Sequence, residues 1–380
     1  MKCYDYIITG AGAAGLMLAY RLAKDSFFDH KSILILDSIE RSGDDRTWSF
    51  WEVGEGEWDG LVSKSWDSVN IANSKFHLKR SLSPYRYKMI HSKCFYKEVW
   101  SVIRSKSNIK FLKQEIVKLI PNKHNVEVYT DNTRFKAYKV FNSIPNFENY
   151  TKQNKYPVLQ QHFVGWFIKT DTSSFDPSSV TFMDFDIPQE GNTRFIYMLP
   201  VNSKEALVEY TVFSKKLLDY SSYESGIKSY LDRKGIINYT IIRKEQGVIP
   251  MTCYPFSAHN SFNILNIGTN GGWTKASTGY TFNNCSKKTR NLINYLKRNS
   301  NLLKFEKITR FYFYDMLFLD VLATNNNLGS ELFSKLFHKV DVKTIFRFLD
   351  DSTNFLEDFK IISTFPKKIF LNALIKRFFY

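Results

Sequence analysis

Two glycine-rich stretches and one glutamate carry residue types and spacings that chemistry could use. The first stretch, Gly10-Ala11-Gly12-Ala13-Ala14-Gly15, is G-x-G-x-x-G placed directly after the apolar run 4–9. In that pattern Gly10 permits a tight turn, Gly12 lets backbone approach a pyrophosphate, and Gly15 lets helix and strand pack closely. The phosphates would lie at the N-terminus of the following helix, where free N–H groups and the positive dipole end point. Asp37, about 20 residues further on, is placed to accept from ribose hydroxyls. The second stretch runs from Gly268 through Gly271, Gly272, Thr278 and Gly279 to Tyr280, again between an apolar run and a helical pattern. It reads as a second cradle for an anion or a ribityl chain. One G-x-G-x-x-G does not choose between FAD and NAD(P), and its glycines also suit plain packing. Two cradles on one chain favour FAD.

The glutamate is Glu209. In the run 205–214, alternation sets Leu207, Glu209, Thr211 and Phe213 on one face and Ala206, Val208, Tyr210 and Val212 on the other. Glu209 therefore has apolar neighbours whichever face is buried. A carboxyl that loses hydration there should titrate above its reference of about 4.3 and could donate a proton near neutral pH. Pattern alone leaves open an edge-strand Glu paired with one of the many lysines. Asp184 and Asp186, near the turn marked by Pro188 and Gly191, are weaker candidates of the same kind.

The elements that must position these groups follow in order. Residues 4–9 and 32–36 read as strands flanking a helix from Leu16. Loop 38–58 carries Arg41, Arg46, Trp48 and Trp58, which could flank a ring or a phosphate or simply anchor a surface loop. Strands are expected at 75–82, 85–89, 108–119, 125–129 and up to Val140, with a helix over 93–105. Runs 161–170, 180–186, 193–199 and 205–214 predict a largely antiparallel sheet. A helix over 223–233, strands at 238–245 and 262–267 and a helix over 282–297 follow, and from Ile308 the pattern is helical. The fold class is α/β: an FAD-binding Rossmann-like domain interleaved with an antiparallel-sheet substrate domain, and a helical C-terminal region. The expected division is 1–75, 88–150 and 245–300 for the FAD part, 76–87 as a crossover, 151–244 for the substrate sheet and 301–380 for a membrane-facing helical part.

The chain has 380 residues, 43% hydrophobic, with formal charge +16 and 62 aromatics counting 33 Phe, 22 Tyr and 7 Trp. That much positive charge suits an anionic partner. No nucleic-acid-binding module is recognisable and the basic residues are scattered, so an anionic membrane surface is favoured over nucleic acid. A Lys- and Asn-rich composition without functional meaning is the bland alternative. No apolar run approaches 18 residues, and the N-terminus leads straight into the nucleotide strand rather than a signal peptide. A cytoplasmic protein held peripherally on the inner face of the cell membrane is therefore expected. Cys3, Cys94, Cys253 and Cys285 are far apart and read as free thiols, with no metal site. Within 366–380, Phe370, Leu371, Leu374, Ile375 and Phe378 recur at helical spacing among lysines and arginines. That tail could lie on a membrane or pack on the protein's own helices.

Taken together, the fingerprint at 10–15, Met183-Asp184 with 194–200, the run 207–211, Glu245-Gln246-Gly247-Val248-Ile249-Pro250-Met251 and the loop 268–280 resemble the flavoprotein lycopene cyclases, in the same order over nearly the whole chain. The resemblance implies the fold of FAD-dependent hydroxylases and geranylgeranyl reductases. It implies a bacterial lycopene beta-cyclase activity, an isomerisation that turns the end groups of lycopene and other acyclic carotenoids into β-ionone rings, giving γ-carotene and β-carotene. FAD would act in its reduced form without net redox, with NADPH as reductant, and the family's essential acid falls on Glu209. The family's two FAD motifs fall on Gly10, Ala11, Gly12, Ala14 and Gly15, and on 268–279. Two departures stand out: Tyr210 occupies the place of a second Glu in plant-like members, and Asp351 stands where Glu is usual in a C-terminal motif, 348–353, for which helix capping by Asp351 or Ser352 is the expectation. An FAD-dependent prenyl or geranylgeranyl reductase or hydroxylase, and a non-catalytic carotenoid-binding flavoprotein, are the alternatives.

Overall fold

The computed structural model describes residues 2–379. Its first sheet has seven strands in the order Ile109–Lys113, Ile33–Asp37, Cys3–Thr9, Arg134–Asn142, Val126–Thr130, Ile116–Pro121, with the short strand Ile264–Asn266 beside the end of Arg134–Asn142. The strands Cys3–Thr9, Ile33–Asp37, Ile109–Lys113, Arg134–Asn142 and Ile264–Asn266 are parallel, so their carboxyl ends share one edge. Both glycine loops leave from that edge, which is where doubly wound sheets take their ligands. Helix Ala13–Lys24 packs between helices Ser92–Arg104 and Phe282–Leu296. This position explains a composition of Ala, Leu and Met with almost no exposed face.

A second sheet of seven strands runs Tyr239–Met251, Leu159–Thr170, Glu205–Ser214, Thr193–Pro200, Ser179–Asp184, Ser68–Asn73, Phe76–Ser81. A small third sheet joins Thr47–Val53, Tyr85–His91 and Val62–Trp66. Strand Ser68–Asn73, inside a segment expected to serve the cofactor part, pairs in the second sheet. Thr47–Val53, expected as loop, is a strand whose neighbouring aromatics serve different cores: Trp48 and Phe50 join that of the first sheet and Trp51 that of the second. Alternation holds over Thr47-Trp48-Ser49-Phe50 and breaks at Trp51, which leaves too short a period-2 run to mark a strand. Tyr239–Met251 is one continuous strand and does not end at Glu245.

Five helices, Arg310–Thr324, Gly329–Lys339, Val342–Leu349, Phe355–Ile362 and Lys367–Phe379, close one side of the second sheet. On the last helix, Ile369, Phe370 and Ala373 pack on the core and Arg377 clamps Asp320 with bonds of 2.5 and 2.6 Å, whereas Leu371 and Ile375 are exposed. Tyr380 and the side chain of Phe378 lie outside the described residues. Among the described residues no helix is long and apolar enough to cross a membrane.

Candidate active site

One cavity of about 1200 Å³ reaches from both glycine loops, past Glu209, to the C-terminal helices. At its first end Gly10 has φ 95°, and a Cβ on Gly15 would lie 2.0 Å from the Gly10 carbonyl oxygen, so neither position tolerates a side chain. A Cβ on Gly12 would meet nothing within 4 Å, and no described side chain caps the helix that starts after it. That leaves an open, donor-rich helix N-terminus facing the cavity. Asp37 lines the same end, but one of its oxygens already accepts the Ala11 N–H at 2.5 Å and the other the Ile39 N–H at 3.0 Å.

The second loop abuts the first: a Cβ on Gly268 would sit 2.8 Å from that of Ala14. A side-chain ladder fixes this approach. Thr9 Oγ1 donates to Asn142 Oδ1 at 2.8 Å, Asn142 Nδ2 to Asn266 Oδ1 at 2.9 Å, and Asn270 Nδ2 to the same oxygen at 2.8 Å. Gly268 and Gly279 line the cavity, whereas Gly271 and Gly272 press against Asn266 and Phe256 and shape the turn. Thr278 Oγ1 and Gln161 Oε1, both on the cavity wall, are buried without a hydrogen-bond partner among the described residues. Open helix donors, abutting glycine turns and orphaned polar atoms suit a long dinucleotide such as FAD. Arg41 and Arg46, and Trp48 at the start of strand Thr47–Val53, also line this space, whereas Trp58 is buried in the core of the first sheet.

The C-terminal motif serves the same loop. Lys275 is buried in it and pairs with Asp315 at 3.1 Å and Asp351 at 2.7 Å, while Lys287 pairs with Asp350 at 2.7 Å. Burial opposes the charge on Lys275, yet the two carboxylates hold its ammonium up at about 12. Burial pushes the Asp315 carboxyl up, with Lys275 opposing. Asp351 thus fastens the helical region to the second loop. Ser352 meets the capping expectation at the end of helix Val342–Leu349, donating to the Arg347 carbonyl, but helix Phe355–Ile362 is capped by Asn354.

Glu209 lies midway along the cavity and is 8% exposed. Leu207, Thr211 and Phe213 share its cavity face, while Val208, Tyr210 and Val212 pack against helix Tyr220–Arg233. Position 210 therefore points away from the site, so a carboxylate there could not meet Glu209. Its neighbours across the sheet are Tyr197 on one side and Gly165 on the other, and beyond Gly165 stands Glu245. Burial first, then the Glu245 carboxyl beside it, pushes the Glu209 carboxyl well above the usual carboxylate range. The hydroxyls of Tyr87 and Tyr197 are 2.7 Å apart and those of Tyr87 and Tyr280 3.2 Å, and burial raises all three phenols, which keeps them proton donors. Phe182, Phe195 and Phe213 complete an aromatic wall. Asp184 lies off the cavity, accepting from Tyr230 at 3.0 Å and pairing with Lys234 at 3.5 Å, and Asp186 is exposed.

Sequence reasoning assigns no role to Glu245, Gly165, Lys275 or Asp315, or to the tyrosine trio. The available signal is the Glu245-to-Met251 motif, but the pattern predicts a strand that stops at its first residue. At the far end the cavity opens between the C-terminal helices, where Phe359, Ile362 and Leu371 both line it and face solvent.

The sequence model of the family described as lycopene cyclase protein matches residues 5–374. The lycopene beta-cyclase of Pantoea ananas is 26% identical over 260 residues, 66% of this chain and 63% of that protein. The chloroplastic neoxanthin synthase of Solanum tuberosum is 24% identical over 296 residues, 73% of this chain and 57% of that protein. The matched stretches thus span less than two thirds of these relatives' lengths. Among solved structures, a geranylgeranyl bacteriochlorophyll reductase-like protein of Thermoplasma acidophilum aligns with TM-score 0.58 at 12% identity, over 99% of this chain and 97% of that one. A mutant of the halogenase PltM in complex with FAD aligns with TM-score 0.60 at 13% identity, over 97% of this chain and 85% of that one. These likenesses are of fold, that of FAD-dependent flavoproteins. With the family match spanning nearly every residue from the first glycine strand to the last helix, the chain belongs to the lycopene cyclase protein family.

Proposed function

We propose that the protein is a lycopene beta-cyclase, converting lycopene end groups to β-ionone rings by acid-initiated cyclisation. The observation that carries this reading is Glu209, a buried carboxyl on the wall of an aromatic-lined cavity, pushed well above the usual carboxylate range by burial and by the neighbouring Glu245. Glu209 donates its proton to the terminal double bond, leaving a tertiary carbocation. The next double bond attacks, the ring closes, and a ring proton returns to the carboxylate, so substrate and product are isomers. The faces of Phe182, Phe195 and Phe213 favour the cation through their quadrupoles, and the apolar surroundings of this buried stretch of the wall strengthen such an interaction relative to water. FAD would be held by Gly10, Ala11, Gly12, Ala14, Gly15 and Asp37 at one loop and Gly268, Thr278 and Gly279 at the other, and in its reduced form, with NADPH as reductant, it would supply negative charge to the site.

The substrate dissolves in lipid, and the cavity mouth suits that source. Helix Phe355–Ile362 exposes Phe355, Leu356 and Phe359 at 73%, 82% and 72%, next to the exposed Leu371 and Ile375. Lys360, Lys367, Lys368 and Lys376 lie on the same two helices, in a chain of charge +16. An apolar face with cations on its helices and continuous with a cavity matches an anionic bilayer surface. These features support a peripheral protein on the cytoplasmic face of the cell membrane, with helix Phe355–Ile362 as the main contact and the last helix contributing only its outer edge.

The test is an anaerobic assay of the flavin-loaded protein with pre-reduced FAD and lycopene-loaded liposomes, the pigments being separated and identified by mass spectrometry. A product of unchanged mass absorbing at shorter wavelength is expected, and absent with Glu209→Gln. A mass gain of hydrogen would make the protein a prenyl reductase, and unaltered lycopene in folded, loaded protein would refute the assignment.

A further inference from the structure

The second sheet places Glu245, Gly165, Glu209 and Tyr197 in one row across four strands, with the glycine between the two glutamates. A Cβ on Gly165 would lie 2.8 Å from Glu209 Cγ and 3.3 Å from Glu245 Cγ, so both side chains lean into the space that the missing methyl leaves. Strands two apart in a sheet are separated by roughly 9.5 Å, too far for two carboxyl groups to meet if a side chain stood between them. Gly165 makes an approach possible, since both carboxyl-bearing side chains border the one space that its missing side chain leaves.

The remaining contacts of the pair are asymmetric. Glu245 Oε2 accepts from Thr47 Oγ1 at 2.8 Å and lies 3.4 Å from Arg243 Nη2. Arg243 is held by Asp44, at 3.0 Å, and lies over the Phe167 ring at 4.0 Å, while His91 Nδ1 stands 3.2 Å from Asp44. The described groups that face Glu209 include no cation: they are Glu245 from the one strand, Tyr197 from the other, and Tyr87 and Tyr280 from across the cavity. Two carboxylates in contact cannot both ionise cheaply. Arg243 and Thr47 complement a negative charge on Glu245, and no described cation complements one on Glu209.

We propose that Glu245 is a positioning residue for the reaction: its carboxylate, fixed by Thr47 and Arg243, shares one proton with Glu209 across Gly165 and keeps Glu209 loaded as the acid. The pair takes the ring proton back at the end of the cycle, so no net proton is consumed. The Arg243, Asp44 and His91 side chains at the Glu245 end of the pair are partly exposed.

This inference rests on the assignment of Glu209 as the acid, and two measurements separate the two ideas. Infrared titration of the flavin-loaded protein reads the protonated-carboxyl stretch without any turnover. The band should be missing in Glu209→Gln and should disappear at lower pH in Glu245→Gln than in wild type. The cyclisation assay run between pH 5.5 and 8.5 gives the second readout. Removing the neighbouring charge should lower the rate of Glu245→Gln at pH 8 by about tenfold or more while leaving it close to wild type at pH 5.5. Glu245→Asp, which keeps the charge, should recover much of the loss. A band that titrates alike in wild type and Glu245→Gln overturns the proposal even if no variant cyclises lycopene. A rate loss that is equal at every pH overturns it too, because a merely structural role would produce that.

Discussion

Lys275→Met tests the junction between the second glycine loop and the C-terminal helices. The loop folds around this residue, whose carbonyl accepts the N–H groups of Thr278 at 3.2 Å and Gly279 at 2.8 Å. Its ammonium neutralises Asp315, which has almost no access to water, and Asp351 from the family's C-terminal motif. Methionine preserves the apolar stem and removes the charge, leaving Asp315 buried and unpaired. Breaking such a pair from one side costs about 3–5 kcal/mol. With about 2.1 cal/mol/K of unfolding entropy per residue over 380 residues, the total is about 0.8 kcal/mol/K, so Tm should fall by about 4–6 °C. The pH dependence has a definite sign. Burial already raises the Asp315 carboxyl, and without Lys275 it rises further. A group raised in the folded state is harmless below its unfolded pKa, about 3.9, and costs stability as pH climbs through the folded value. The deficit should be small near pH 4 and complete at pH 8. Thermal melts followed by circular dichroism at both pH values check this, and Lys275→Met with Asp315→Asn should regain most of the loss. A single mutant melting within about 1 °C of wild type at pH 8 would refute the reasoning, since about 0.8 kcal/mol is too little for a buried pair.

The remaining predictions concern other groups. Glu209→Gln should reduce cyclisation by about 10²–10⁴-fold or more, leave flavin content unchanged, and raise Tm relative to wild type at pH 8 but not at pH 4. The reason is that the wild-type carboxyl, raised by burial and Glu245, costs stability only as pH rises above its unfolded value. His162 is buried between Ser214 Oγ at 2.7 Å and the Tyr223 hydroxyl at 2.6 Å, and burial lowers it from 6.5 to about 4. Its contribution is therefore present above pH 6.5 and lost between there and about 4, worth at most about 3 kcal/mol, and His162→Gln should flatten Tm across that window. Replacing Leu356 and Phe359 by Ser should weaken sedimentation with anionic vesicles while leaving Tm within about 1 °C, because both side chains are already exposed. Unchanged vesicle binding would remove this helix from the membrane contact.

Both glycine loops and the strand carrying Glu209 were legible in the sequence because each rests on local rules. A glycine turn between strand and helix is written in consecutive residues, and alternation in a strand shows which side chains share a face. The same alternation sets Tyr210 on the opposite face from Glu209. The strand Thr47–Val53 was not legible, since Trp51 joins the core of the second sheet on the face that also carries Thr47 and Ser49 and so breaks the alternation after four residues.

The chain by itself determined the class of fold, the strand, glycine turn and helix of its first forty residues and a carboxyl among apolar neighbours. Only tertiary structure decided what stands beside that carboxyl. Glu209 and Glu245 are 36 positions apart and meet because Gly165, from a third strand, lies between them. Lys275 and Asp351 are 76 apart and meet because the C-terminal helices close over the second loop. Sheet register and helix packing set these distances through long-range contacts, and spacing along the chain does not record which strands will be neighbours.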